Sequence, residues 1–274
     1  MPSHEGPHVL VADDNEPNRI LAAKQLGRLG CRAIVVEGGR SALEAMGNSA
    51  FALVLLDCQM PGMDGYEVTR TIREMERASA DRARRVPIVA MTAAPTAQVR
   101  AACLEAGMDD FVAKPVTLKD LEAVLGRWIE GRTAGVRTSA AGPGGAGPTE
   151  DGPRFDVARL EGFRADLGED AFARFRDAYL RELPERLRAV ADAAGLGDLD
   201  AMARGAHMLK SSSAALGAMG LVRITEAIEA IDASASEPGA ASLARRLELE
   251  GAAVADVLTR TGVDLPPQDP PSKR

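Results

Sequence analysis

The amino-acid sequence predicts two regions of different fold class, an α/β region with a five-stranded doubly wound parallel sheet and then an all-α antiparallel helical bundle. Between residues 8 and 130, short apolar runs alternate with segments of helical period. Strands that are apolar along their whole length are typical of a parallel sheet buried on both faces. Between 155 and 262 only helical periodicity remains, interrupted by glycine-containing turns, and this pattern indicates a bundle.

Each element follows from its local pattern. In the first region, strands are predicted at 8–12, 32–37, 52–57, 86–92 and 110–113, each followed by a helix. In the second region, helices are predicted at 156–166, 169–194, 198–216, 219–231 and 241–261. Pro184 lies inside the second of these helices, and we expect it to kink or split that helix because proline lacks an amide proton.

Composition divides the chain into four segments. Residues 8–130 hold the α/β region and residues 154–262 hold the helical region. Between them, residues 131–153 are rich in glycine, proline and alanine and have no apolar periodicity, which predicts a flexible linker. Residues 263–274 are proline-rich and charged, which predicts a disordered tail.

Charge and cysteine content exclude several classes of protein. A net charge of -7 leaves no broad basic surface, so we expect no direct binding to nucleic acid. No apolar run approaches the roughly 20 residues that cross a bilayer, and the first seven residues are too short and polar for a signal peptide. Cys31, Cys58 and Cys103 lack the spacing of a zinc site and are expected to be reduced thiols. The sequence therefore predicts a cytoplasmic protein without a membrane segment.

Polar residues stand at the ends of four predicted strands: Asp13 and Asp14, Asp57, Thr92, and Lys114. The carboxyl ends of parallel strands meet at one edge of a sheet, so we expect these side chains to converge. Three clustered carboxylates repel one another unless they share a cation, and an oxygen-rich site suits Mg²⁺. Each residue could instead simply cap the following helix, but capping does not account for all five together.

These residues, with the segment 57–65 (Asp-Cys-Gln-Met-Pro-Gly-Met-Asp-Gly) and Lys114-Pro115, resemble the receiver domain of two-component response regulators. The resemblance covers residues 8–130 and implies a flavodoxin-like sheet of strand order 2-1-3-4-5. It also implies that Asp57 is the nucleophile that forms an acyl phosphate. Mg²⁺ would then be held by Asp14, Asp57 and the backbone carbonyl of Gln59, and by Asp13 through water.

The same resemblance assigns roles to three further residues. Lys114 would pair with the phosphoryl oxygens, aimed by a cis bond to Pro115, and Thr92 would donate its hydroxyl to the bound phosphoryl group. Phe111 matches the family's aromatic switch position and would turn inward as Thr92, the other switch residue, moves. Phe111 is equally interpreted as an ordinary core residue of a strand, and both interpretations stay open. Cys58 follows the nucleophile but faces the other side of the strand, so we interpret it as a packing residue.

The helix predicted at 198–216 carries a histidine beside an apolar stripe. The stripe consists of Leu199, Met202, Ala206, Leu209, Ser213 and Leu216. His207, Lys210, Ser211 and Ala214 form a neighbouring stripe of polar and short side chains, so we expect the imidazole to be accessible and to have room for a partner. A helical histidine without further context is most often an ordinary surface residue.

The run 206–217 (Ala-His-Met-Leu-Lys-Ser-Ser-Ser-Ala-Ala-Leu-Gly) supplies that context, because it resembles the motif of histidine phosphotransfer (HPt) domains. The resemblance extends over about 155–262. It implies that His207 is a phosphoacceptor and that Lys210 is its electrostatic partner. Ser211 stands where the family often has glycine, and it is small enough that we expect transfer to survive.

Together these features predict a phosphorelay protein. A sensor or hybrid histidine kinase would load Asp57, and His207 would exchange phosphoryl groups with Asp57 or with a downstream receiver domain protein. The sequence shows no ATP-binding segment, so we expect a phosphotransfer intermediate rather than an enzyme, with slow autodephosphorylation allowed. Two alternatives stay open: an Mg²⁺-dependent phosphatase, and a binding module switched by phosphorylation. Met1 lies close to the first strand, which is compatible with a freestanding protein, and the tail of a longer hybrid kinase is the alternative.

Overall fold

The computed structural model describes residues 6–78, 85–93, 96–129, 153–231 and 237–260. Apart from Pro153, the segments predicted as a linker and as a disordered tail lie outside the described residues. The division of the chain into four segments therefore stays a prediction. Within the described ranges, none of the helices combines the length and the apolar character that crossing a membrane requires.

The first region is a parallel sheet with the strand order β2-β1-β3-β4-β5. The strands are β1 His8–Ala12, β2 Arg32–Val36, β3 Leu53–Asp57, β4 Ile88–Thr92 and β5 Asp110–Ala113. The helices that alternate with them are α1 Glu16–Arg28, α2 Gly39–Asn48, α3 Gly65–Ala78, α4 Ala97–Ala106 and α5 Leu118–Trp128. The predicted α/β class and strand order are confirmed.

The central strands are buried on both faces, as their unbroken apolar runs predict. Leu10 and Leu56 pack into an apolar cluster on one face of the sheet. Val11 and Leu55, their neighbours along the chain, pack into a second cluster on the other face. Successive side chains of a strand point to opposite faces, so each strand contributes to both cores. The sheet thereby holds its strand ends in fixed positions.

Strand pairing decides which strand ends are neighbours. β1 pairs with β3, with Ala12 opposite Leu56, and β3 pairs with β4, with Asp57 opposite Met91. β4 in turn pairs with β5, which begins at Asp110. The residues that follow β1, β3, β4 and β5 therefore lie along one edge of the sheet.

The second region is helical. Its helices are α6 Val157–Leu167, α7 Glu169–Leu196, α8 Leu199–Ala215, α9 Met219–Glu229 and α10 Glu237–Arg260. α8 packs against α9, and α9 packs against α10. Gly217 has a φ of 75°, a conformation that favours glycine, and makes the short turn between α8 and α9.

α7 continues through Pro184, so the expected split of this helix is wrong. Buried apolar side chains lie on both sides of the proline, among them Tyr179, Leu183 and Val190. Their burial holds the two halves in register and outweighs the single backbone hydrogen bond that the proline cannot make. The expected kink stays a prediction.

Candidate functional site

Asp13, Asp14 and Asp57 form an acidic cluster at the carboxyl edge of the sheet, in which Asp13 and Asp57 are buried and Asp14 is half-buried. Each offers a carboxylate oxygen, and these oxygens all lie within 4.8 Å of one another. Asp13 and Asp14 follow β1, and Asp57 ends the neighbouring strand β3. Three carboxylates this close resist ionising together unless a cation compensates their charge. Their hard oxygen ligands and their spacing fit a divalent cation such as Mg²⁺.

Lys114 lies between two of these carboxylates. Its Nζ is 2.8 Å from Asp13 Oδ2 and 2.6 Å from Asp57 Oδ2, and all three side chains are buried. Burial by itself would lower the pKa of Lys114, but Asp13 and Asp57 raise it above its ordinary value, so the ammonium keeps its charge. Burial also raises the pKa of Asp57 to about 7, although Lys114 opposes that rise. Burial therefore disfavours the ionised form of Asp57, and Lys114 favours it.

The loop between β3 and α3 approaches Asp57 closely. The backbone N–H of Gln59 donates to Asp57 Oδ1 over 3.2 Å. Gly65 donates its N–H to the carbonyl of Cys58 over 3.1 Å, and a Cβ at Gly65 would clash with the main-chain oxygen of Asp57. A glycine is therefore required at position 65. The metal-binding role of the Gln59 carbonyl stays a prediction.

Thr92 ends β4, the strand next to β3, and Phe111 lies in β5, opposite Ala90. Thr92 is buried, and its carbonyl accepts the N–H of Lys114 over 2.8 Å. Phe111 is partly buried against the core, and the Arg100 guanidinium lies 4.3 Å from its ring centroid. Both interpretations of Phe111 stay open. The Lys114–Pro115 peptide bond is cis, as the resemblance implies.

Cys58 is buried in the apolar core on one face of the sheet. Its Sγ lies 4.0 Å from the Sγ of Cys103 on α4. The side chain thus packs among core residues, in agreement with its interpretation as a packing residue.

Sequence reasoning missed two residues that hold Asp13. Asn18 Nδ2 donates to both carboxylate oxygens of Asp13, over 3.2 and 3.3 Å. Arg19 Nη1 donates to the main-chain carbonyl of Asp13 over 2.8 Å. Both residues lie at the start of α1, a few residues after Asp13 and Asp14. That proximity in sequence was the signal that could have identified them as contacts of the acidic pair.

The histidine on α8 is held by an acidic residue of α9. His207 Nδ1 lies 2.6 Å from Glu229 Oε1, and Lys210 Nζ lies 2.7 Å from Glu229 Oε2. A carboxylate only accepts hydrogen bonds, so Nδ1 is the protonated nitrogen and Nε2 is the nitrogen that Glu229 leaves for other chemistry. Burial would raise the pKa of Glu229, but the hydrogen bonds from His207 and Lys210 outweigh burial and lower it.

The structure agrees more closely with one of the two stripes predicted on α8 than with the other. Met202, Ala206, Leu209, Ser213 and Leu216 are buried, as predicted, and Leu199 is half-buried. In the neighbouring stripe, the side chains of His207 and Lys210 are about one-fifth exposed, at 20% and 18%. Ser211 and Ala214 are buried, because α9 packs along α8, so the expected open stripe is limited to His207 and Lys210.

Two family models match the chain. The response regulator receiver domain matches residues 9–126, and the Hpt domain matches residues 174–257. The first match contains the acidic cluster and Lys114, and the second contains His207 and Glu229.

Related proteins are much longer than this chain. The sensor protein GacS of Pseudomonas syringae pv. syringae is 41% identical over 128 residues, which are 46% of this chain and 14% of the relative. The sensor histidine kinase GacS of Pseudomonas protegens is 32% identical over 213 residues, which are 77% of this chain and 23% of the relative. The chain thus spans less than a quarter of the length of these relatives.

Among solved structures, the receiver domain of a sensor histidine kinase from Pseudomonas aeruginosa PAO1 is 37% identical. That crystal structure, described with a magnesium ion in its active-site cleft, covers 46% of this chain and 98% of its own, with a TM-score of 0.41. With both family matches placed on the two regions of the fold, the chain belongs to the two-component signalling proteins as a response regulator receiver domain joined to an Hpt domain.

Proposed function

We propose that this chain is a phosphorelay protein in which Asp57 and His207 each carry a phosphoryl group. One observation supports this most directly. Each nucleophile has a lysine within reach to offset phosphoryl charge: Lys114 lies 2.6 Å from Asp57, and Lys210 shares Glu229 with His207. A chain with only one relay step would need only one of these arrangements.

At the receiver site, a carboxylate oxygen of Asp57 attacks the phosphorus of a phosphohistidine. The new P–O bond forms as the P–N bond breaks, and the imidazole leaves. Asp14, Asp57 and the Gln59 carbonyl would hold Mg²⁺, with Asp13 acting through water. The ion would neutralise charge on the phosphoryl oxygens. Lys114 would pair with one phosphoryl oxygen and the Thr92 hydroxyl would donate to another.

At the helical site, Nε2 of His207 attacks the phosphorus of an aspartyl phosphate, and the P–N bond forms as the O–P bond of the acyl phosphate breaks and the aspartate carboxylate leaves. Glu229 keeps the proton on Nδ1, so the lone pair needed for attack lies on Nε2. The imidazole becomes positively charged when Nε2 is phosphorylated, and the Glu229 carboxylate stabilises that charge. Lys210 would offset the negative charge of the phosphoryl group.

The partners follow from this chemistry. A sensor or hybrid histidine kinase would supply the phosphoryl group, since both relatives named above are sensor proteins and the two matched families are not kinase domains. A downstream receiver domain protein would accept it from His207. Binding to nucleic acid is not part of the proposal, and the cytoplasmic location stays a prediction.

The experiment compares the wild-type protein with Asp57→Asn, His207→Gln and the double variant. Each is incubated with Mg²⁺ and acetyl phosphate, or with a purified phosphorylated histidine kinase domain, and its intact mass is measured. The wild type is expected to gain about 80 Da at each nucleophile. The Asp57 phosphate should be lost in alkali, and the His207 phosphate should be lost in acid but survive alkali.

His207→Gln should keep only the phosphate of Asp57. Asp57→Asn should take no phosphate from these donors, because His207 receives its phosphoryl group from an aspartyl phosphate, but it should take one at His207 from a separately phosphorylated receiver domain. The double variant should take none from any donor. Asp200→Asn, an exposed acidic residue on α8, is the matched control and should behave as the wild type. A phosphate that persists in the double variant would refute the proposal. Steady turnover of a small phosphoester would favour the phosphatase instead.

A further inference from the structure

We propose that Asn18 and Arg19 are positioning residues, which fix Asp13 so that the acidic cluster binds Mg²⁺ with Asp13 in its water-mediated place. This inference rests on the proposed function and deepens it. Neither residue is among the strand-end residues on which the resemblance to receiver domains rests. Their contacts with Asp13 are the observations that carry the inference.

The Asp13 carboxylate is surrounded by hydrogen-bond donors. Oδ1 accepts from the backbone N–H of Asn15 over 2.9 Å and from Asn18 Nδ2 over 3.2 Å. Oδ2 accepts from Asn18 Nδ2 over 3.3 Å and from Lys114 Nζ over 2.8 Å. Asn18 therefore contacts both oxygens and restrains the rotation of the carboxylate about its Cβ–Cγ bond.

Arg19 acts on the main chain of the same residue. Its guanidinium donates to the Asp13 carbonyl over 2.8 Å, at the point where the chain leaves β1 for α1. Asn18 and Arg19 are consecutive residues of α1, so one helical turn fixes both the backbone and the carboxylate of Asp13. Asp13 is thus held by residues other than the metal and the lysine.

The need for this arrangement comes from Lys114. Lys114 donates to Asp13 and to Asp57 at once, and a phosphoryl group on Asp57 would draw it toward the new oxygens. Asp13 then loses its strongest donor while it must still orient water on the metal. Asn18 and the Asn15 N–H continue to hold it, so Asn18 keeps the carboxylate in place throughout the phosphorylation cycle.

The side chain of Asn18 can be changed without removing the helix cap. The cap of α1 is the Asn15 side chain, which accepts from the backbone N–H of Asn18. Asn18→Ala keeps that N–H. Arg19→Met keeps most of the aliphatic length of the side chain and removes the guanidinium. Asn48→Ala, at an exposed position in α2, is the matched control.

The test measures the Mg²⁺ dissociation constant of the unphosphorylated full chain by isothermal titration calorimetry. We expect Asn18→Ala to raise it about tenfold, the lower part of the range for residues that orient a metal site, and Arg19→Met to raise it by a smaller factor. Asn48→Ala should leave it unchanged. Thermal unfolding of the same variants in EDTA measures how much Asn18 and Arg19 stabilise the fold without the metal ion.

Dissociation constants equal to that of the wild type, with a lowered melting temperature, would overturn the inference, because the residues would then only stabilise the fold. The constants are measured without phosphorylation. A wild-type protein that binds Mg²⁺ but takes no phosphoryl group would instead overturn the proposed function, so the two failures are distinguishable.

Discussion

Lys114 Nζ lies 2.6 Å from Asp57 Oδ2, in a site where both side chains are almost fully buried. Replacing Lys114 by methionine would leave Asp13 and Asp57 as uncompensated buried carboxylates. We expect the free energy of unfolding without metal to fall by about 3 kcal/mol, and no further because Asp57 can take up a proton. Mg²⁺ should restore part of this loss by neutralising the same carboxylates.

This prediction is checked by urea unfolding in EDTA and in Mg²⁺. Trp128 in α5 is the one tryptophan of the chain, so its fluorescence follows the α/β region. Lys119→Met, at an exposed position of α5, is the control and should change little. A Lys114→Met protein that Mg²⁺ does not stabilise would contradict the electrostatic account.

Gly65 gives a second prediction, about space rather than charge. An alanine there would press its Cβ against the main-chain oxygen of Asp57 and the Cα of Cys58. We expect Gly65→Ala to lower stability by about 1–3 kcal/mol and to slow phosphorylation of Asp57, because the loop must shift. Gly47→Ala, in α2 with open space around its Cα, should stabilise by about 0.5–1 kcal/mol. Equal stabilities for the two variants would count against this explanation.

Glu229 should control phosphoryl transfer at His207. In an Asp57→Asn background, where only His207 takes a phosphoryl group, Glu229→Ala is expected to slow the reaction about tenfold or more, because the imidazole loses its orientation. Glu229→Gln keeps an oxygen acceptor for Nδ1–H and should slow it less. The rate is measured with a purified phosphorylated receiver domain. Asp200→Ala, an exposed acidic residue in the first turn of α8, is the control, and an equal loss in it would argue against a specific role for Glu229.

The lowered pKa of Glu229 also predicts a pH dependence of stability. A carboxyl group whose pKa is lower in the folded protein stabilises it above the ordinary value of 4.5, and the contribution disappears as pH falls through 4.5 to the lowered pKa. We expect the free energy of unfolding of the wild type to exceed that of Glu229→Gln by about 1 kcal/mol at pH 7, a modest value because Glu229 is partly exposed. The difference should vanish at low pH. Denaturant unfolding followed by circular dichroism measures it. A difference that grows on acidification would show the sign to be wrong.

Arg73 is predicted to stabilise the α/β region at the opposite end of β4. Its buried guanidinium pairs with Glu76 over 2.8 Å and with Asp109 over 2.6 Å, and it donates to the carbonyls of Gly107 and Val86. Arg73→Leu removes the cation that pairs with Glu76 and leaves Asp109 with only the more exposed Arg85, which is 2.6 Å away. We expect the variant to lose about 3 kcal/mol of stability in urea unfolding. Arg77→Leu, exposed on the same helix, should have little effect. A small loss of stability in Arg73→Leu would mean that water molecules take over the hydrogen bonds that the guanidinium donates.

The sequence predicted best those features that depend only on residues close together in the chain. The apolar runs of β3 and β4 predict buried strands, and polar residues at their ends predict the acidic edge, because both signals are local. Glu229 could not be found in this way. It lies on a different helix from His207, and only the packing of α8 on α9 brings them together. Pro184 shows a limit of local rules: the proline predicted a kink or a split, and the helix is not split, with buried apolar side chains on both sides of the proline.

The two proposed phosphoacceptors differ in how exposed their side chains are. The His207 side chain is 20% exposed on α8, whereas that of Asp57 is only 4% exposed at the carboxyl edge of the sheet. In the proposed relay, the more exposed imidazole can reach toward a buried carboxylate, whereas two buried carboxylates cannot reach each other. Under that proposal, a histidine carries the phosphoryl group between any two aspartates.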